Sequence, residues 1–103
     1  MAKGELEMAR YTFGEVETDR AKEIRDLCAL ECFRPRSTIN YIYKVSHLAI
    51  IFERFTGKAI SEIDMLQAFE DLGYTIEIRH YGWDAYVNVA NNSPAIKKWE
   101  REA

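Results

Sequence analysis

The sequence predicts an α+β domain: a three-helix core with a long central helix, an antiparallel β-hairpin and a short C-terminal helix. Three stretches predict it. Residues 37–55 are apolar over more than half a helical circumference. Tyr41, Ile42, Val45, Leu48, Ala49, Phe52 and Phe55 share one arc, and Ile39, Tyr43 and Ile50 form a second strip. Ile51 interrupts the polar remainder, and such a helix needs cover on two sides. Residues 61–73 carry both a helix start and a helix stop signal. Residues 76–89 alternate apolar and polar positions around a glycine, the pattern of a hairpin. A length of 103 residues with 48% apolar content fits one domain over 1–103, with residues 1–7 open to disorder.

In chain order, Tyr11 and Phe13 alternate with Arg10 and Thr12, which predicts a third, N-terminal strand over 8–13, ended by Gly14. Thr18 is placed to cap a helix over 19–33, with Asp19 complementing its dipole. The inward side of that helix is read as Ile24, Leu27, Cys28 and Leu30, with Lys22 and Asp26 paired across one turn. Pro35 stops it. Ser37 caps the central helix and Gly57 releases it. In the third helix, Ser61 and Asp64 resemble a capping box and Ile60 staples onto Met65. Ile63, Leu66, Phe69 and Leu72 face inward. Gly73 supplies the left-handed closing residue, with Tyr74 touching Phe69. Gly82 and Trp83 form a two-residue turn, which pairs Tyr81 with Asp84, Ile78 with Val87 and Ile76 with Val89. Arg79 and Tyr86 then meet on the outer face. Ser93 as cap and Pro94 as first residue open the last helix, anchored by Ile96 and Trp99.

This order of elements resembles the winged-helix arrangement over residues 18–90. The resemblance implies that the third helix would enter the major groove of DNA. That helix carries Glu62, Asp64, Glu70 and Asp71 and no base, with Gln67 its neutral reader of base edges. Four carboxylates facing a row of phosphates are repelled. The basic charge lies elsewhere. Residues 33–60 hold five basic groups against one acidic, within a chain of net charge −3.

These patterns point to a non-enzymatic protein that binds another protein: a regulator, adaptor or inhibitor whose acidic helix faces a basic partner. Its contacts are expected at Glu62, Asp64, Glu70 and Asp71 and at the hairpin-tip aromatics Tyr81 and Trp83, whose rings suit a half-wet interface. The alternative is a winged-helix-like nucleic-acid binder using Arg34, Arg36, Lys58 and Arg79, with the tip aromatics stacking on bases. A homodimer would cover the strip of Ile39, Tyr43 and Ile50.

No cofactor or metal site is read from the chain. Cys28, Cys32, His47 and His80 supply four donor types suited to zinc, but their spacing matches no compact zinc pattern. Cysteines four apart on a helix are read as core thiols in a reduced, cytoplasmic setting. No nucleophile elbow or glycine-rich phosphate loop occurs. The first ten residues lack the apolar run of a signal peptide, and no stretch is long enough to span a bilayer.

Overall fold

The computed structural model describes residues 19–82 and 84–102. Within them the chain runs α1 (Asp19–Cys32), β1 (Pro35–Asn40), α2 (Val45–Thr56), α3 (Glu62–Asp71), β2 (Ile76–Arg79), β3 (Asp84–Val89) and α4 (Pro94–Glu102). The strands form one antiparallel sheet in the order β1–β3–β2. The α+β class is therefore as the sequence predicts. The strand expected over 8–13, the Thr18 cap, the question of order in 1–7 and Trp83 fall outside the described residues.

The central helix is shorter than the periodicity predicts. It starts at Val45, and the stretch before it is strand β1. Pro35 opens that strand, where its missing N–H is tolerated, and Thr38 and Ile39 are β-branched. Pro35 pairs with Val89 and Asn40 with Val87, with a register irregularity between them. Asn40, fully buried, ends the strand. Its amide donates to the Val89 carbonyl at 2.9 Å and to Asn91 Oδ1 at 2.7 Å, while its oxygen accepts from the Ile42 N–H at 2.9 Å. A buried amide with every strong demand met resists slippage of the pairing.

Starting at Val45 also resets the helix face. Val45, Leu48, Ala49, Ile51 and Phe52 are buried in α2, so Ile51 belongs to the core. Ile42 and Ile50 are exposed instead. Tyr43, from the second strip, is buried and donates from its hydroxyl to Glu100 Oε2 on α4 at 2.8 Å. Gly57 closes α2 in the left-handed region, as predicted.

α1 turns a different side inward from the one its large residues mark. Ala21, Arg25, Ala29 and Cys32 are buried, whereas Leu27 and Leu30 are exposed. Small residues let α1 approach its neighbours closely. Arg25 spans the contact to α3, donating to Asp26 Oδ1 at 3.0 Å and to Asp71 Oδ2. Asp26 thus pairs with Arg25 rather than Lys22. Burial pushes the Asp26 carboxyl up despite that guanidinium.

α3 follows its local signals closely. The Ser61 hydroxyl accepts from the Asp64 N–H at 3.1 Å. Gly73 donates to the Glu70 carbonyl at 3.0 Å and Tyr74 to the Phe69 carbonyl at 2.9 Å, the paired bonds of a Schellman close. The Tyr74 and Phe69 rings lie 5.1 Å apart. Met65, Ala68 and Phe69 are buried, with Leu66 and Leu72 packed partly against the core. Ile63 is the exception: it is 79% exposed.

The hairpin register is shifted by two from the predicted one. Ile76 pairs with Val87, Ile78 with Ala85 and Arg79 with Asp84. A shift of two preserves which face each side chain takes, so the apolar alternation remains consistent. The cause is the turn. His80, Tyr81 and Gly82 all take positive φ, 55°, 56° and 93°, making the loop longer than two residues. Tyr81 sits in the turn rather than pairing with Asp84. Arg79 stands over the Tyr41 ring at 4.5 Å, and Tyr41 packs edge-on against Tyr86.

α4 begins at Pro94 and is anchored by buried Ile96 and half-buried Trp99. Ser93 occupies the cap position, its carbonyl accepting from the Lys97 N–H at 2.9 Å, while its side chain is used elsewhere. Its buried hydroxyl accepts from the Arg34 N–H at 2.9 Å and donates to the Ala90 carbonyl at 2.6 Å. The main core joins Phe33, Leu48, Ile51, Phe52, Met65, Phe69, Val87, Val89 and Ile96. Each large apolar side chain removed from water there contributes about 2 kcal/mol.

Candidate functional site

Two surfaces stand out, one acidic and one basic. On α3 the four carboxylates divide into two kinds. Asp64 Oδ2 accepts from the Ser61 hydroxyl at 2.7 Å. Asp71 accepts from Arg25 and, at 2.9 Å, from Gln67 Nε2. These two acids hold the helix and its packing. Glu62 and Glu70 are exposed and make no ion pair among the described residues. Ile63, Gln67 and Glu70 follow helical spacing and share one face. On α3, exposed Ile63 is the residue that the sequence places inside and the structure places outside.

Tyr81, at the hairpin tip, is fully exposed. The base of the hairpin is tied down by charge. Lys44 Nζ lies 3.1 Å from Asp84 Oδ1 and His80 Nδ1 lies 2.5 Å from Asp84 Oδ2. Lys44, and more weakly His80, hold the Asp84 carboxyl below the usual carboxylate range. The Tyr41 hydroxyl donates to Glu77 Oε1 at 2.9 Å. That bond lowers Glu77, with help from the Arg79 guanidinium, and raises Tyr41 against the opposing pull of Arg79.

The predicted basic residues do not form one surface. Arg36 donates to the Thr38 and Ile39 carbonyls at 3.0 Å each. Arg79 pairs with Glu77 at 2.5 Å. Lys58 lies near the Cys28 thiol, whose rise through burial it opposes. Arg34 alone of the four lines a cleft of about 420 Å³, together with Phe55, Asn92, Pro94, Lys97 and Arg101. Sequence reasoning missed Lys97 and Arg101. Their separation of four on a short helix is the signal, because it puts both on one face. A second cleft of about 440 Å³, beside Trp99, mixes Glu53 with Arg54 and has no dominant sign.

The thiols and histidines are separately occupied. Cys32 is buried and its thiol is pushed up to about 12, chiefly by burial. A reactive cysteine needs the opposite shift. His47 stacks edge-on between Tyr43 and Trp99, with ring centres 5.3 and 5.4 Å away. His80 faces Asp84. Among the described residues, no three His, Cys, Asp or Glu side chains are grouped to hold a metal. No described helix is long and apolar enough to cross a membrane. Comparison with protein-family models, curated proteins and solved structures found no match.

Proposed function

We propose that this chain is a small non-enzymatic protein-binding module, a cytoplasmic regulator, adaptor or inhibitor whose α3 meets a basic protein surface. The observation that carries the reading is Ile63, 79% exposed on a helix whose exposed carboxylates include Glu62 and Glu70 and which has no basic residue. An apolar side chain beside a charged rim is the anatomy of a small interface centre. Ile63 would enter an apolar pocket on the partner, and the carboxylates would steer approach and fix orientation. The exposed Tyr81 ring provides a second contact at the hairpin tip.

The order α1–β1–α2–α3–β2–β3 supports a second reading, a winged-helix-like nucleic-acid binder. In that arrangement α3 is the groove-entering helix. Its lack of any base argues for a protein partner over a duplex.

The test is an affinity capture from nuclease-treated lysate with the wild-type chain and with Ile63→Arg. Ile63 is exposed, so the variant should melt within a few °C of wild type. The expected result is a protein recovered by wild type, lost with Ile63→Arg and weakened by added salt. Recovery that depends on nucleic acid, or that Ile63→Arg leaves unchanged, would overturn the reading. A self-associated form lost in Ile63→Arg would identify the partner as a second copy.

A further inference from the structure

We propose that the cleft between Arg34, the end of α2 and the start of α4 is a phosphate-binding site that takes a nucleotide. Arg34, Lys97 and Arg101 line it together, and no carboxylate is among its lining residues within the described part of the chain. None of the three cations makes an ion pair with a described residue. Three cations around one opening repel one another, and an anion removes that repulsion.

The charge order of α4 points the same way. A helix start favours negative charge and its end favours positive charge. The start of α4 runs against that rule: its first turn has no acid and Lys97 and Lys98 follow, while its last turn mixes Arg101 with Glu100 and Glu102. Lys97 and Arg101 are also like charges four apart, which destabilises a free helix. No ion pair among the described residues offsets these costs. A phosphate seated at the start of α4 would offset both, meeting the dipole and the cations at once.

The site is held in place before any ligand arrives. The Arg34 N–H donates to buried Ser93 Oγ and the Ala90 N–H donates to the Arg34 carbonyl at 2.7 Å, locking the Arg34 backbone to the segment that opens α4. Arginine can then meet two phosphate oxygens through its planar fork. Asn92 adds an amide at the rim. Phe55, 36% exposed and carrying Lys98 at 5.7 Å from its ring centre, gives the cleft an aromatic wall. That wall is what selects a nucleotide over a bare anion, since bases stack on aromatic rings. The volume of about 420 Å³ lies within the range of small-ligand sites.

The phosphate can come from a free nucleotide or from a nucleotide within a single strand, and the experiment separates them. Amide NMR spectra of the ¹⁵N-labelled chain would be titrated with inorganic phosphate, AMP and a short oligodeoxythymidylate at fixed ionic strength. Shifts centred on Arg34, Asn92 and Lys97 are expected, with AMP binding more tightly than inorganic phosphate. Tighter binding of the oligonucleotide, with a steep salt dependence, assigns the strand as source; equal or weaker binding assigns the free nucleotide. Lys97→Gln with Arg101→Gln should weaken AMP by at least about tenfold. Because it removes the like-charge pair without adding another, that variant should melt no lower than wild type in phosphate-free buffer. Arg34→Gln is the second variant, keeping α4 intact. The proposal fails if no probe shifts these residues, or if the shifts persist unchanged in both variants.

Discussion

Cys32, Tyr43 and Tyr74 are three buried acids held in their neutral forms. Burial is the main cause in each case, and each is pushed up to about 12. Tyr74 donates to the Phe33 carbonyl and Tyr43 to Glu100, so ionisation would also break a hydrogen bond. A group whose folded value lies above its unfolded one supports the fold fully below the unfolded value. That support disappears as pH rises through the folded value. The unfolded values are about 8.5 for a thiol and about 10 for a phenol. The melting temperature should therefore fall progressively as pH rises from about 9 to 12, with Cys32 contributing first. Thermal melts followed by circular dichroism would check this, and Cys32→Ala should flatten the early part of the fall. The core position of Cys32 was legible from the helix-spaced pair of cysteines. The buried position of Arg25 was not. Hydropathy patterning marks Leu27 and Leu30 as the inner face of α1, yet the helix packs through Ala21 and Ala29, whose small size the pattern undervalues. Arg25 can follow them inward because Asp26 and Asp71 meet its charge.

At the scale of elements, what was legible depended on how local the determining contacts are. α3 could be read completely at both ends because Ser61, Asp64, Gly73 and Tyr74 act within a few residues of one another. Gly73 gives a direct check. Its φ is 80°, and an added Cβ would meet nothing within 4 Å, so substitution costs backbone strain alone. Gly73→Ala should destabilise the fold by about 1–2 kcal/mol in urea unfolding, with little change in the denaturant slope. β1 was misread as helix because the stretch is apolar by either periodicity. Its partner, β3, lies some fifty residues further on, and the strand exists only because that partner does. The hairpin shows a smaller failure of the same kind. Gly82 correctly marks the turn, but His80 and Tyr81 also enter the left-handed region, which ordinary residues do at a cost of about 1 kcal/mol each. The Asp84 carboxylate, facing both His80 and Lys44, helps to hold them there.

Over the whole molecule, the α+β class and the separation of acidic from basic charge could be read from the chain. The composition of the basic surface could not. Arg34 and Arg101 are 67 positions apart, and the Ser93 hydroxyl brings their segments together through a bond to the Arg34 backbone. The predicted basic set contained Arg34 but scattered into separate hydrogen-bonded arrangements, because Arg36 and Arg79 found partners within the sheet. The hairpin tip has a different use at this scale. Tyr81 projects fully into solvent from a turn of three left-handed residues, the kind of site at which a protease engages a native chain. Chymotrypsin should make an early cut after Tyr81, seen as two fragments by mass spectrometry under denaturing conditions. The second fragment carries Val87, Val89 and Ile96, all fully buried, so the halves should still co-elute in native gel filtration. A cut chain that stays together also describes a split protein. Residues 1–81 and 82–103, expressed separately, should reassemble, and the join between them is where a reporter sequence can be inserted.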